Sequence, residues 1–303
     1  MKKLTNYLSL VKFSHTIFAL PFALTGFFLG VREIAVTQEG DSLGWSLTGN
    51  YFSNNYDLFF YVLLCMVFAR SAAMAFNRYL DRDFDAKNPR TAVREIPRGV
   101  ISPAAALRFT ILNAVLFIVA AGLINTTCLY LSPVALLVIL GYSYTKRFTP
   151  LCHLVLGVGL ALAPVGAFIA VTEHANVGII LLSLAVACWV SGFDIIYALQ
   201  DEQFDKTQGL KSIPTILGPV RSLLVSKILH IITTVCIIAS GILFNMNWLY
   251  FTGVALFSLM LIWQHLLVKP NDLSKVNIAF MTTNGLASIF FSIAAVLDLF
   301  ILN

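Results

Sequence analysis

Two short stretches of this 303-residue chain place acidic side chains at a spacing that can do chemistry. In Asn77-Arg78-Tyr79-Leu80-Asp81-Arg82-Asp83-Phe84-Asp85, the residues Asn77, Asp81 and Asp85 recur every four positions, which on a continuing helix stacks them on one face. Between Asp194 and Asp205, the residues Asp194, Tyr197, Asp201 and Asp205 recur at three- and four-residue steps, which on a helix also share one face. Like charges four residues apart cost a helix a few tenths of a kcal/mol, about 0.2–0.5, and two such faces brought together repel strongly unless something neutralises them. Hard carboxylate and amide oxygens suit Mg²⁺, which takes one or two carboxylates and fills its shell with water and substrate phosphate. Two facing carboxylate helices therefore point to a Mg²⁺-diphosphate site.

Cations follow each cluster: Arg90 and Arg94, next to Asn88, Pro89 and Thr91, after the first, and Lys211, between Gly209 and Ser212, after the second. With Arg82, Lys146 and Arg147 they are the expected diphosphate contacts, since Arg and Lys bind phosphate oxygens through charge-assisted hydrogen bonds. Surface ion pairing, worth about 0–1 kcal/mol, is the plainer reading, and it is the one taken for Arg98, Arg108, Lys269 and Lys275. Arg70 precedes Asn77 by two helical turns on the same face, and both entry into the site and snorkelling to the interface stand open for it.

The elements that must position these residues are transmembrane. Hydrophobic residues make up 58% of the chain and charged ones 12%, which excludes a soluble globular domain. A spanning helix needs roughly 20 apolar residues, and the runs 15–33, 57–76, 101–125, 127–144, 151–172, 176–197, 219–244, 247–267 and 276–301 meet that length. The expectation is an all-α membrane protein of about nine transmembrane helices, read as one unit over 1–303. The first run ends in Val31-Arg32-Glu33 without a small-residue cleavage pattern, so it is kept as a helix. With nine spans, 19 of the 20 Lys and Arg fall on one side and Arg32 on the other. The positive-inside rule makes the basic side, with the N-terminus and the acidic clusters, the cytoplasmic face of the cell inner (plasma) membrane. The net charge of +5 is thereby topology, with no nucleic-acid meaning. The five cysteines lie singly, without metal-ligand spacing, and read as packing residues.

Lys12-Phe13-Ser14-His15 has two readings, acceptor binding and interfacial anchoring. Asn277 and Asn284 have two as well, facing a cavity or hydrogen-bonding between helices. His153, His174, His230 and His265 read as isolated and non-catalytic.

At these residues the chain resembles the UbiA superfamily of intramembrane aromatic prenyltransferases, whose motifs are N-D-x-x-D-x-x-x-D and a later D-x-x-x-D. Here Asn77, Asp81 and Asp85 match the first, and Asp201 and Asp205 the second, and the resemblance implies that these five are the metal ligands. Asp-x-x-Asn-Pro-Arg-Thr-x-x-Arg at 85–94, a Tyr-x-x-x-Lys-Arg run ending at Lys146-Arg147 and Asp-x-x-Tyr-Ala-x-Gln-Asp at 194–201 look like the 4-hydroxybenzoate polyprenyltransferase branch. Arg78 stands where that pattern commonly has Asp. Arg78-x-x-x-Arg82, with Arg94-Glu95-Ile96-Pro97, is most similar to members of the futalosine-type menaquinone route. The resemblance implies nine helices around a central cavity, cytoplasmic caps carrying the two motifs, and a lateral opening for a lipid tail.

It also implies a reaction: Mg²⁺-dependent transfer of a polyprenyl group from a prenyl diphosphate to a small aromatic acceptor, 4-hydroxybenzoate-like or naphthoate-like, in quinone biosynthesis. Asp194 is the expected proton acceptor, and Phe193 and Tyr197 are expected to keep water from the allylic cation. The rival from another class is a membrane carrier with a cytoplasmic-side metal or anion site. Carriers place sites near the bilayer midplane on broken helices, and the charged clusters here sit at one interface.

Overall fold

Lipid offers no partners for backbone N–H and C=O groups, so every apolar run has to close its own hydrogen bonds as a helix. The computed structural model describes residues 2–11, 18–39 and 51–301. Its order is α1 (Lys2–Leu10), α2 (Leu20–Glu39), α3 (Tyr56–Leu80), α4 (Arg82–Lys87), α5 (Pro103–Ile124), α6 (Thr126–Thr145), α7 (Cys152–Thr172), α8 (Val177–Ala198), α9 (Glu202–Thr207), α10 (Ile213–Leu243), α11 (Trp248–Leu267) and α12 (Asn284–Ile301). Among the described residues nine helices are long and apolar enough to cross a membrane, so the expected all-α, multi-pass architecture is met.

Two boundaries differ from the hydrophobic runs for identifiable reasons. Helix α3 continues past residue 76 to Leu80, because its polar last turn still completes i→i+4 bonds. Helix α10 begins at Ile213, where Ser212 and Thr215 form a reciprocal cap. Gly218 (φ 73°) breaks the helical path and Pro219 restarts it, and 219 is where the apolar run begins.

The two ends of the bundle have different chemistry. At one end Arg32 on α2 donates to the Phe244 carbonyl at 2.6 Å, and Glu33 accepts from His174 at 2.8 Å. At the other end, the last turns of α3, α6 and α8 and the first turns of α7 and α10 converge around the motif residues, and the Lys211 amide donates to the Lys146 carbonyl at 2.8 Å. Helix α1 docks here, Leu10 packing with Ala75, Ile96 and Ala106.

Small residues set the helix spacing, as they do where lipid supplies no hydrophobic drive between helices. A Cβ at Gly26 would lie 2.2 Å from the Pro164 carbonyl oxygen, which locks α2 against α7. A Cβ at Gly157 would meet both the Ala187 carbonyl and Ser191 Oγ at 2.3 Å, which brings α7 against α8 one turn from the acidic residues. An aromatic core of Phe22, Trp189, Phe257 and Phe291 fills the centre, and Trp189 Nε1 donates to Asn284 Oδ1 at 2.8 Å. Asn284 is thus an interhelical residue, and Asn277 is exposed. All five cysteines are free, as expected of packing residues.

Candidate active site

The first motif is carried over a helix junction. Asp81 separates α3 from α4, yet the Asp81 amide still bonds the Asn77 carbonyl at 2.9 Å, and the Asp85 amide bonds the Asp81 carbonyl at 2.8 Å. The i→i+4 ladder is preserved, so Asn77, Asp81 and Asp85 share a face. Asn88 ends α4 with extended backbone (ψ 117°), as the residue before Pro89 must. The chain from Asn88 to Ser102 then folds as tight turns above the bundle end, carrying Arg90 and Arg94 inward. On the second motif α8 tightens into a 3₁₀ turn, Leu199–Asp201, and α9 bears Asp205. Gly209 (φ 67°) closes α9, with the Leu210 amide bonding the Asp205 carbonyl at 2.9 Å and the Gly209 amide bonding Lys206 at 3.3 Å. This paired closure needs a left-handed residue, which glycine supplies.

The two motifs, far apart in sequence, line one polar chamber of about 240 Å³. Each motif carboxylate holds a cation. Asp81 pairs with Arg147 at 3.1 Å, Asp85 with Arg94 at 2.6 Å, and Asp205 with Lys146 at 2.7 Å. Asp201 takes the guanidinium of Arg90 through both oxygens. Asn77 Nδ2 donates to Asp81 Oδ2 at 3.1 Å. Asn88 joins the motifs, donating from Nδ2 to Asp201 Oδ1 at 3.1 Å while its own Oδ1 accepts from the Arg90 amide at 3.0 Å. Burial pushes the Asp81 carboxyl up to about 6 even though Arg147 opposes it. Burial works against the charge on Arg90, but its bonds to Asp201 outweigh this and raise its pKa.

Among the described residues no group of three or more His, Cys, Asp and Glu side chains converges as a ready-made metal cage. The donor set nonetheless fits a divalent cation. Asp85 is 6% exposed and its Oδ2 has no hydrogen-bond partner, a buried anionic oxygen facing the same chamber as the remaining hard oxygens.

Below the polar chamber lies an apolar one of about 660 Å³. The two share Asn77, Arg90, Arg94, Tyr142, Leu156, Asp194 and Tyr197 in their walls. Phe193 and Phe280 lie edge to face at 5.4 Å in the larger chamber, with the Tyr197 ring 4.2 Å from Phe280 and the Arg90 guanidinium 5.3 Å over Tyr197. Phe280 reaches this position from a π-helical turn, Ile278–Thr283. There Asn284 Nδ2 bonds the Ala279 and Phe280 carbonyls at 2.9 and 3.1 Å, and Gln264 Nε2 bonds Ala279 at 3.0 Å.

Several expectations are corrected. Arg82 and Lys211 do not line either chamber: Arg82 donates to the Tyr79 carbonyl at 2.8 Å, and Lys211 Nζ to the Phe148 carbonyl at 3.3 Å. His153 is not isolated, since its Nδ1 donates to Asp194 Oδ2 at 2.6 Å inside the polar chamber. His230 and His265 lie 2.9 Å apart, and His174 holds Glu33. Arg70 lines the apolar chamber. Lys12-Phe13-Ser14-His15 falls outside the described residues. His153 lies in an apolar helix with no local pattern to single it out, whereas Tyr142 is the Tyr of the Tyr-x-x-x-Lys-Arg run.

A model of the UbiA prenyltransferase family matches residues 42–292. The chain is 30% identical over 222 residues to a 4-hydroxybenzoate octaprenyltransferase of Enterobacter sp. (strain 638), covering 73% of this chain and 76% of that protein. It is 30% identical over 230 residues to that of Aliivibrio salmonicida (strain LFI1238), covering 76% and 80%. Among solved structures it is similar to the apo form of a UbiA homolog from Aeropyrum pernix K1, with TM-score 0.72, 29% identity and coverage of 93% and 95%. A UbiA homolog from Archaeoglobus fulgidus bound to GPP and Mg2+ has the same fold, with TM-score 0.67, 22% identity and coverage of 97% and 99%. With the family model matching residues 42–292, most of its length, the chain belongs to the UbiA prenyltransferase family.

Proposed function

We propose that this prenyltransferase moves a polyprenyl group from its diphosphate to an aromatic acceptor of the 4-hydroxybenzoate or hydroxynaphthoate kind, with Mg²⁺, in quinone biosynthesis. The reaction faces the cytoplasm at the cell inner membrane, where the basic residues cluster. The observation that carries the reading is the continuity of the two chambers, a charged one sized for a diphosphate opening onto an apolar one sized for a lipid tail and a ring. The named 4-hydroxybenzoate octaprenyltransferases support the aromatic acceptor, and the homolog bound to GPP and Mg2+ supports the donor and metal.

Asn77, Asp81, Asp85, Asp201 and Asp205 are the proposed metal ligands. Bound there, Mg²⁺ supplies Lewis acidity toward the leaving diphosphate. The chain's own side chains do the rest. Five carboxylates and four cations line the polar chamber, which is near neutral as it stands. Two divalent ions and a diphosphate ester of about three negative charges nearly cancel as well, so the loaded chamber avoids the cost of an unbalanced buried charge. Arg90, Arg94, Lys146 and Arg147, released from their carboxylates, are then free to hold phosphate oxygens. The faces of Tyr197, Phe193 and Phe280 stabilise the allylic cation and exclude water. The ring carbon ortho to the phenol attacks C1 of the prenyl group, the C–O bond to diphosphate breaks, Asp194 takes the phenolic proton, and the hydrogen of the attacking carbon then moves to the phenol oxygen as the ring regains aromaticity.

Purified protein in lipid, supplied with Mg²⁺, a radiolabelled prenyl diphosphate and both acceptors, tests this. Product that disappears with EDTA and in Asp81→Asn and Asp201→Asn is expected. No product with either acceptor overturns the reading.

A further inference from the structure

Arg78 sits in the last turn of α3, next to Asn77, and is 5% exposed. It lines the apolar chamber and not the polar one. Its Nε is buried with no partner, and among the described residues the guanidinium makes no hydrogen bond or ion pair. The charges it feels are Arg94, Asp85 and Glu95. Arg94 and Asp85 are paired with each other, and Glu95 accepts from Ser9.

A guanidinium keeps its charge and presents five N–H donors, and a buried donor without an acceptor is costly at membrane depth. The charges of Asp85 and Glu95 offset part of that cost, but among the described residues none accepts a hydrogen bond from the guanidinium, so the matching acceptor comes with a ligand. We propose that Arg78 docks a carboxylate carried by the aromatic acceptor. A planar carboxylate fits the guanidinium fork through two parallel bonds. Phosphate fits the neighbouring chamber better, because Lys146, Arg147 and all four motif carboxylates line that chamber and not this one, with Arg90 and Arg94 reaching both. Asp194, Phe193 and Tyr197 line the same apolar chamber as Arg78. A ring anchored at Arg78 by its carboxylate can thus present its phenol to Asp194 and its face to the aromatic wall. This rests on the aromatic-acceptor reading above and adds which side chain holds the acceptor's carboxylate.

The test measures binding without turnover, by thermal stabilisation of the protein in lipid. The probes are 4-hydroxybenzoate against phenol, a hydroxynaphthoate against the matching naphthol, and prenyl diphosphate with Mg²⁺. In the unaltered protein each acid should bind on the order of 10- to 100-fold more tightly than its decarboxylated partner. In Arg78→Gln that preference should vanish, with prenyl diphosphate affinity within about twofold and melting temperature unchanged or raised. An acid preference that survives in Arg78→Gln, or a loss confined to prenyl diphosphate, overturns the proposal. If Arg78→Gln does not fold, Arg78→Lys decides: it keeps the charge but loses the fork, and an undiminished preference in it overturns the proposal too. Acid binding without turnover sinks the transfer reading and spares this one. Turnover with equal kcat/KM for acid and phenol does the reverse.

Discussion

His153 Nδ1 lies 2.6 Å from Asp194 Oδ2, joining the first turn of α7 to the last turns of α8 across the floor of the polar chamber. The contact depends on how the two helices meet. Ser191 Oγ donates to the His153 carbonyl at 3.1 Å, and the missing side chain at Gly157 lets α7 close against α8.

If Asp194 accepts the phenolic proton, His153 is a positioning residue that fixes its carboxylate. His153→Ala should lower kcat by about 10- to 100-fold, less than the roughly 100- to 10,000-fold that a general base itself contributes, and leave KM for prenyl diphosphate unchanged. His153→Gln keeps a donor for Asp194 and should recover most of the loss. Steady-state kinetics with both substrates varied checks this, and an equally inactive Gln variant would show that the imidazole itself carries the proton.

Gly157→Ala places a methyl group 2.3 Å from two oxygens of α8. Overpacking of this kind costs about 1–3 kcal/mol. A lower melting temperature in detergent is expected together with a loss of kcat, since the same shift pulls His153 from Asp194. A fall in stability with kcat intact would separate the helix spacing from the catalytic contact.

The Asp81 carboxyl is raised by burial from its ordinary 3.8 to about 6, Arg147 opposing the shift. Between these values the folded chain binds more protons than the unfolded one. This group's contribution to stability therefore falls as pH rises from about 4 to 6, the reverse of a carboxylate lowered by its partner. A metal requires the ionised form, so apparent Mg²⁺ affinity should drop up to about tenfold per pH unit below pH 6. Calorimetric titration at pH 5, 6 and 7 measures it. An Asp81→Asn variant should lose the pH slope along with the affinity.

Arg94→Ala leaves Asp85, 7% exposed on its side chain, buried without its cation. Breaking such a pair costs about 3–5 kcal/mol when fully buried, and about 2–4 kcal/mol is expected here with Arg94 partly exposed. Mg²⁺ should restore more stability to this variant than to the unaltered protein, because a divalent ion replaces the lost charge. Thermal unfolding with and without Mg²⁺ reads the difference, and an equal Mg²⁺ effect in both proteins would count against Asp85 as a metal ligand.

The membrane class, the helices and the two acidic faces were legible in the sequence because each depends on local rules. Apolar run length against bilayer thickness defines a span, and the four-residue spacing of Asn77, Asp81 and Asp85 defines a face. Tertiary structure decided the rest. Which cation meets which carboxylate depended on how the turns after Asn88 and the end of α6 fold over the chamber, and this set Arg90, Arg94, Lys146 and Arg147 apart from Arg82 and Lys211. The pairing of His153 with Asp194, and the placing of the Arg78 guanidinium in an apolar wall with no hydrogen-bond partner among the described residues, depend on helix packing distances of a few ångström. Spacing along one helix is written in the chain, whereas a contact between helices exists only once small residues such as Gly157 have determined how closely they approach.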